Sequence, residues 1–305
     1  MSSNVLVVVH VYYPELWEQI SFCISNLDRL NKCYDLYVTI PEKLRFFSSH
    51  ILEFNKKANI IITENVGYDI WPFIKVLNCV ELDKYDYIIK LHTKRSLGMT
   101  VVSTCNKYFF IGKTWRTLLL SFISKKRNLE SVFCAFEKDA SLGMVNSNKI
   151  IEETVLPSKD AHYSYCAENA IDIINKLIPY NSNCIKFVAG SMFICRAKPL
   201  KLLKELDYDL KDFIKVDRDK VNDLPHILER VFGGLITVQG YKIYDPFSSI
   251  WDNVFFIPYS VLCRLLSIRI VKKIIRFIFR IDGHYNEDKI IRIFKIKILR
   301  LKRKE

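Results

Sequence analysis

Two polar clusters, separated by one predicted helix, carry the residues most suited to binding a phosphorylated ligand. The first cluster is a short loop containing Asn65, Gly67 and Asp69. The second is cationic, follows a buried apolar run and contains Lys90, His92, Lys94 and Arg95. Ligands of open α/β folds bind outside the carboxyl ends of strands, and a cationic group there suits a phosphate or diphosphate. The alternative is a solvated basic rim without function.

The loop of the first cluster favours close approach by a ligand. Gly67 permits a positive φ and leaves room for a ligand beside the backbone. Asp69 can accept hydrogen bonds from ribose or sugar hydroxyls, and it can equally cap the following helix. His10 and Tyr12 end the first predicted strand, where an aromatic ring can stack on a nucleobase or pack against the first helix.

A second group of candidates lies towards the C-terminal half. His226, Glu229 and Arg230 are spaced so that they share one face of a helix. Glu229 or His226 could remove a proton from an acceptor hydroxyl, with Asp223 as a rival base. A structural ion pair between Glu229 and Arg230 is the alternative.

Gly190 and Ser191 interrupt the apolar run 186–195, which we predict to be a strand. A glycine inside a strand favours close approach by a ligand, here an acceptor sugar, or marks a bulge. We also predict a strand over residues 235–244 and a helical region over 110–139 that breaks near 125–128. Residues 207–223 are predicted to be a loop or lid.

The elements that must position these residues alternate between strand and helix. The predicted strands of the first half cover residues 4–10, 35–40, 59–63 and 85–91, with helical patterns over 14–30, 41–57 and 69–80 between them. The strands are almost continuously apolar, which is typical of a parallel sheet covered by helices on both faces. We therefore predict one α/β domain over residues 1–255.

Charge and cysteine content limit the possible environments of the chain. Residues 264–305 contain fourteen basic and four acidic residues, so they carry +10 of the net charge of +13. Basic and apolar residues recur at helical spacing over 259–281, which predicts that residues 256–305 form an amphipathic tail on an anionic membrane surface. A charged helix packed on the domain and a nucleic-acid interface are the alternatives, and no nucleic-acid motif supports the latter. The nine cysteines form no Cys-x-x-Cys pair, so we expect a reducing cytoplasm and neither disulfides nor a zinc site.

Several motifs in order resemble the rhamnan synthesis protein F family of bacterial polysaccharide glycosyltransferases. The matching segments, spread over about residues 5–245, are His10-Val-Tyr-Tyr13, Asp35-Leu-Tyr-Val-Thr39, Asn65-Val-Gly-Tyr-Asp69, Lys90-Leu-His-Thr-Lys94, Leu142-Gly-Met144, Phe187-Val-Ala-Gly-Ser-Met-Phe193 and His226-Ile-Leu-Glu-Arg230. The resemblance implies a GT-A-like, Rossmann-type fold. It also implies transfer of rhamnose or a similar sugar from a nucleotide sugar to a lipid-linked surface polysaccharide such as an O-antigen, rhamnan or capsule-like glycan. A non-catalytic carbohydrate-binding or assembly protein is the rival function.

The residue chemistry and this resemblance together indicate roles for the candidate residues. Donor binding falls to His10, Tyr12, Asn65, Gly67, Asp69, His92, Lys94 and Arg95, and acceptor binding to Gly190, Ser191 and Arg230. Strand four of GT-A folds normally ends in an acidic metal-binding motif, whereas this chain has His92-Thr93-Lys94 there. We therefore expect no metal cofactor, with cations replacing the metal at the leaving phosphate. Bound Mg²⁺ or Mn²⁺ is the alternative. A cytoplasmic protein on the inner face of the plasma membrane fits a lipid-linked acceptor.

Overall fold

The computed structural model describes residues 4–95, 100–103, 108–157, 160–179, 182–214 and 223–268, together with three short strands beyond them. The strands are β1 (Asn4–His10), β2 (Cys33–Pro41), β3 (Asn59–Thr63), β4 (Tyr87–His92), β5 (Val101–Ser103), β6 (Phe109–Ile111), β7 (Leu142–Val145), β8 (Ile151–Val155), β9 (Cys184–Val188), β10 (Phe193–Arg196), β11 (Lys242–Tyr244), β12 (Phe279–Asp282), β13 (Lys289–Ile293) and β14 (Ile296–Leu301). The helices are α1 (Trp17–Arg29), α2 (Ser48–Phe54), α3 (Ile70–Cys79), α4 (Gly112–Leu119), α5 (Lys126–Lys138), α6 (Ala161–Leu177), α7 (Ala197–Leu200), α8 (Leu210–Ile214), α9 (Leu224–Val238) and α10 (Ile250–Ser267).

The predicted α/β architecture with a mostly parallel sheet is confirmed. Seven strands form the central sheet in the order β11-β7-β10-β4-β1-β2-β3, and β10 runs antiparallel to both of its neighbours. Helices α1 and α5 pack together, and so do α3 and α9. The chain moves outward from β1 to β3 and then returns to β4, so right-handed crossovers place α1 and α3 on opposite faces of the sheet.

The centre of the sheet brings the two polar clusters together. All six residues of β4 are buried, because this strand is covered on both faces. β1 and β4 are parallel neighbours in a register that pairs His10 with His92, so both strands end at the same level. The backbone N–H of Thr93 donates to the carbonyl oxygen of His10 over 2.9 Å, which extends this pairing past the strand ends.

Four predicted elements differ from the structure. Residues 207–223, predicted to be a loop or lid, contain α8, and residues 215–222 lie outside the described residues. Residues 186–195 form parts of β9 and β10 rather than one strand, since the chain turns at Gly190 and Ser191, both with positive φ. Residues 235–238 continue α9, so the strand predicted over 235–244 is limited to β11. The predicted helix over 259–281 is present in α10 as far as Ser267, whereas Phe279–Asp282 is a strand. The helical region predicted over 110–139 does break, but at residues 120–125 rather than near 125–128, since α5 begins at Lys126.

One side of α10 packs against the α/β domain. The domain boundary predicted at residue 255 falls inside this helix. The hydroxyl of Ser260 accepts a hydrogen bond from the backbone N–H of Phe109 in β6, and Cys263 is buried. β12, β13 and β14 pair in an antiparallel sheet, and the remaining basic stripe positions up to residue 278 lie outside the described residues. None of the helices in the described ranges has the length and apolar content required to cross a bilayer.

Candidate functional site

A cavity of about 1190 Å³ opens at the carboxyl ends of β1 and β4. The predicted site residues that line it are His10, Tyr12, Asn65, Gly67, Asp69, His92, Lys94, Gly190, Ser191, His226, Glu229 and Arg230. Asp223 and Arg95 are not among its lining residues. Residues far apart in the sequence therefore converge on one volume, large enough for a ligand of nucleotide-sugar size.

Thr93 joins the two strand ends beneath the cavity, a role that the sequence did not reveal. Its hydroxyl oxygen accepts hydrogen bonds from the backbone N–H groups of Tyr12 at 2.9 Å and Tyr13 at 2.8 Å. The ring of His10 is fixed from the neighbouring strand, with Nδ1 3.0 Å from the hydroxyl of Thr39. These contacts hold the first-strand aromatics at the cavity wall.

The Asn65–Asp69 loop adopts the tight geometry predicted for it. Gly67 has a φ of +66°, and a Cβ placed there would lie 2.6 Å from the Phe213 ring and 2.8 Å from the Cβ of Trp71. Only glycine therefore fits between α3 and α8. The next residue, Tyr68, also has a positive φ of 55°.

Asp69 occupies the N-cap position of α3, but its side chain does not cap the helix. Its carboxylate instead accepts hydrogen bonds from the buried ammonium of Lys90 and, over 2.6 Å, from the hydroxyl of Ser191. Burial disfavours the charged carboxylate, yet the neighbouring His92 and Lys90 and the donated hydrogen bonds hold the pKa of Asp69 well below its ordinary value. Asp69 and Lys90 thus form an internal ion pair at the floor of the cavity.

The structure corrects the view of the β4 end as a cluster of cations. Burial lowers the pKa of His92 to about 3 and that of His10 to about 4, so both rings are neutral at pH 7. His92 Nδ1 lies 3.3 Å from Asp69 Oδ2 and has no hydrogen-bond partner among the described residues. The charge of Lys90 is balanced by Asp69. The predicted phosphate-binding role at this end therefore rests on Lys94.

Lys94 and Arg95 point to different places. The Lys94 ammonium lies 5.5 Å from the centre of the Trp115 ring at the cavity wall. Arg95 Nε donates to the Glu15 carboxylate over 2.7 Å, and its guanidinium lies 4.5 Å from the Tyr13 ring centre. Arg95 is not a lining residue, but the Tyr13 ring that it contacts is one.

Glu229 is the carboxylate best placed to exchange a proton with a ligand. It projects from α9, and its Oε1 accepts a hydrogen bond of 2.5 Å from the backbone N–H of Gly190. Burial raises the pKa of Glu229, while the charges of Arg230 and Lys94 act in the opposite direction. A carboxylate whose pKa is raised towards neutrality is a stronger proton acceptor. The Gly190 turn thus orients the predicted base.

Arg230 is buried against two aromatic rings that also line the cavity. Its guanidinium carbon lies 4.3 Å from the centre of the Tyr163 ring and 4.9 Å from that of Phe187. Nη1 donates to the His226 carbonyl oxygen over 2.7 Å, whereas Nε has no hydrogen-bond partner among the described residues. Such a buried donor is available to a ligand oxygen.

Sequence reasoning missed Glu152, which also lines the cavity. It lies on β8, pairs in register with Phe187 on β9 and accepts a hydrogen bond from the Tyr163 hydroxyl. Its surroundings in sequence, an edge strand with a second glutamate, gave no chemical signal. Trp115, which is partly buried and packs against the hydrophobic core, is likewise a lining residue.

His226 and Asp223 lie at the start of α9, at the cavity rim and just outside it. His226 Nδ1 is 4.0 Å from an Asp223 carboxylate oxygen. Burial lowers the pKa of His226, with a further contribution from the nearby charge of Arg230. Asp223 is directed towards His162, with 3.8 Å between the carboxylate and Nδ1.

The residues at the end of β4 do not fit a Mg²⁺ or Mn²⁺ site of the oxygen-ligand kind. His92 and Thr93 stand where a carboxylate pair would be required, and Lys94 follows them. The neighbouring carboxylate of Asp69 is already engaged by Lys90 and Ser191. This end of the sheet supplies positive charge from Lys94 rather than carboxylate ligands.

Comparison with known proteins identifies one matching sequence family and two curated relatives. The sequence model of the rhamnan synthesis protein F family matches residues 1–241. Two curated relatives from two strains of Xanthomonas campestris pv. campestris, both called "Uncharacterized protein WxcX", are 23% identical over 254 residues. The matches cover 79% of this chain but 32% of each relative, so the chain spans about a third of the length of these relatives.

Solved structures resemble the chain only distantly. A 4-diphosphocytidyl-2C-methyl-D-erythritol synthase from Anaerococcus prevotii aligns with a TM-score of 0.36 at 9% identity, covering 86% of this chain and 97% of that one. Glucosyl-3-phosphoglycerate synthase from Mycobacterium tuberculosis, bound to Mn²⁺, UDP and phosphoglyceric acid, gives 0.35 at 9% identity, covering 98% and 89%. These likenesses add nothing to the topology described above.

Proposed function

This chain belongs to the rhamnan synthesis protein F family, and from that premise we propose that it is a nucleotide-sugar-dependent glycosyltransferase. The donor sugar is rhamnose or a similar hexose, and the acceptor is a lipid-linked surface polysaccharide of the O-antigen, rhamnan or capsule type. The observation that carries this proposal is the meeting of Glu229, a partly buried carboxylate, with Lys94 in one large cavity at the strand ends.

In the proposed reaction, the acceptor hydroxyl oxygen attacks the anomeric carbon of the donor sugar. Glu229 takes the hydroxyl proton, the bond from the anomeric carbon to the phosphate oxygen breaks, and the nucleoside diphosphate leaves with the electron pair. Lys94 stabilises the negative charge on that leaving group. Tyr12, Asn65 and the Gly67 loop hold the nucleotide, while the Gly190–Ser191 turn and Arg230 hold sugar hydroxyls.

We further propose that the protein works on the cytoplasmic face of the plasma membrane, attached peripherally. α10 exposes large apolar side chains on the side facing away from the domain, and these are Ile250, Trp251, Val254, Phe255, Ile257, Val261, Leu262 and Leu265. The highly basic segment 264–305 begins on the same helix. An apolar face next to a basic segment suits the boundary of an anionic lipid layer, where a lipid-linked acceptor resides.

The test is nucleotide release from a panel of nucleotide sugars, starting with dTDP-rhamnose, with membrane extract as acceptor. We expect turnover with one donor and a loss of about 10²–10³-fold in kcat for Lys94→Ala, the usual effect of removing one charge-stabilising group. Lys138→Ala, an exposed lysine at the end of α5, is the control and should behave as wild type.

One outcome would contradict the proposed transferase activity, and another would contradict the expected metal independence. Absence of turnover with every donor, for folded protein and an extract that supports a known transferase, would favour a non-catalytic carbohydrate-binding or assembly role. The same assay after EDTA treatment tests metal independence. Activity that is lost with EDTA and restored by Mg²⁺ or Mn²⁺ would show that the reaction requires a metal.

A further inference from the structure

Four side chains with metal-binding atoms meet where α6 packs against the start of α9. His162 and Cys166 lie one turn apart on α6. Asp223 and His226 occupy the N-cap and third positions of α9. Of this group, which we call the α6–α9 cluster, His226 is also a lining residue of the cavity.

Three residues of the α6–α9 cluster already have ligand atoms close enough to share one ion, and His226 adjoins them through Asp223. Single ligand atoms of His162, Cys166 and Asp223 all lie within 4.8 Å of one another. The Cys166 sulfur is 3.9 Å from His162 Nε2, and Asp223 Oδ1 is 4.0 Å from His226 Nδ1. Tetrahedral ligands at zinc bond lengths are about 3.3–3.8 Å apart, so small rotations of the side chains would close the site.

The orientation of these groups is not explained by the helices themselves. Asp223 stands at the N-cap of α9 but makes no side-chain capping hydrogen bond, which is the usual use of an aspartate there. His226 Nδ1 is shielded from solvent and has no hydrogen-bond partner among the described residues, a costly arrangement for a polar atom. The Cys166 side chain is fully buried beside them.

We propose that the α6–α9 cluster binds a structural Zn²⁺ ion through His162, Cys166, Asp223 and His226. A thiolate and two imidazoles favour zinc over Mg²⁺ or Mn²⁺, which prefer oxygen ligands. The ion fastens α6 to the first turn of α9 and so positions Glu229 and Arg230, which follow on the same helix. A zinc-bound His226 has no free lone pair at its ligating nitrogen, which leaves Glu229 as the base.

The proposal is tested by metal binding to the full chain, independently of any activity. After loading with Zn²⁺ and removal of the excess, we expect about one Zn²⁺ per chain by elemental analysis. Replacement by Co²⁺ should give a near-ultraviolet thiolate-to-metal absorption band. Cys166→Ser and His162→Gln should each weaken Zn²⁺ binding by at least about ten-fold, a loss that even outer partners of a metal cause.

Cys33→Ser is the matched control, because Cys33 is an exposed free cysteine on β2 and should leave both readouts unchanged. Less than stoichiometric zinc in the wild-type chain would overturn the proposal. So would a cobalt band that survives Cys166→Ser. His162 is exposed, so His162→Gln keeps the test decisive if the cysteine variant fails to fold. Zinc bound without sugar transfer would leave this site standing while the proposed function fails.

Discussion

At the scale of single residues, the cavity separates groups that hold the fold from groups available to a ligand. Lys90 is almost completely buried and bonded to Asp69 and to both oxygens of Ser191. Removing one partner of such a pair typically costs more than the pair contributes, because a charge is left buried alone. Lys94 and Glu229 have fewer internal partners and face the cavity, so they are the better targets for testing chemistry.

The role of Glu229 predicts a selective loss of rate in Glu229→Gln. The amide oxygen can still accept the hydrogen bond from Gly190, but the side chain can no longer take a proton. We expect kcat for sugar transfer to fall by about 10²–10⁴-fold with donor binding retained. Steady-state kinetics and donor titration measure the two effects, and Glu153→Gln, on the exposed side of β8, is the control. A Glu229→Gln enzyme with wild-type kcat would exclude Glu229 as the base.

The buried histidines predict how stability depends on pH. Burial lowers the pKa of His10 to about 4 and of His92 to about 3 in the folded chain, compared with about 6.5 when unfolded. The unfolded state therefore binds more protons than the folded state between about pH 3 and pH 6.5. The stabilising contribution of the two neutral histidines is complete above pH 6.5 and is lost as the pH falls towards 3. Urea unfolding from pH 8 to pH 4 should show this decline, with a smaller slope in His92→Gln. An equal slope in both proteins would contradict the assignment.

The charge states of the site residues could not be predicted from the sequence. His92, Lys94 and Arg95 are adjacent in the chain, yet one is neutral, one faces the cavity and one bonds to Glu15. Burial and partner choice decide these differences, and both depend on distant segments. The α6–α9 cluster was missed for a similar reason, since its residues come as two short pairs, 162/166 and 223/226, rather than one motif.

At the scale of elements, the Gly67 loop predicts a matched pair of glycine substitutions. Gly67→Ala places a Cβ within 3 Å of Phe213 and Trp71 and also strains a positive φ. Gly240 has a φ of +83° with nothing within 4 Å of its would-be Cβ, so Gly240→Ala carries the backbone strain alone. We expect a cost of about 1 kcal/mol for Gly240→Ala and about 2–4 kcal/mol for Gly67→Ala in denaturant titrations. Equal costs would show that the loop can move away.

The bounds of fully buried strands could be predicted from the sequence, whereas the bounds of elements that end at a turn could not. The first four strands were predicted close to their bounds because a run of buried apolar residues has few other structures open to it. The apolar run 186–195 was read as one strand, but Gly190 and Ser191 turn it between two sheets and bring the Gly190 N–H to Glu229. Residues 235–238, Leu-Ile-Thr-Val, suit a strand as well as a helix, and the packing of α9 against β9 favours the helix.

At the scale of the whole molecule, charge and exposed apolar surface are concentrated at one end of the chain. Residues 1–263 carry only +3 of the net charge of +13. The outward face of α10 is apolar, with Ile250 82% exposed, Phe255 74% and Trp251 68%. Contiguous apolar surface of this kind is uncommon unless something covers it. This combination is the basis of the proposed membrane attachment, because an anionic lipid surface would contact both the apolar face and the adjoining positive charge.

The final prediction therefore concerns membrane binding by α10. We expect the full chain to bind anionic vesicles in co-sedimentation, and Trp251→Glu with Phe255→Glu to weaken this binding by about ten-fold or more, since each large side chain contributes about 1.5–3 kcal/mol when fully buried. Phe46→Glu is the control, because Phe46 is similarly exposed, at 71%, on a different part of the domain. A salt titration separates the electrostatic contribution of the basic segment from the apolar contribution of α10, because salt screens only the first. The binding of the wild-type chain that remains at high salt should therefore be the binding that the double variant loses. Equal binding by the double variant and Phe46→Glu would mean that α10 does not contact lipid, and the basic segment alone would then have to account for attachment.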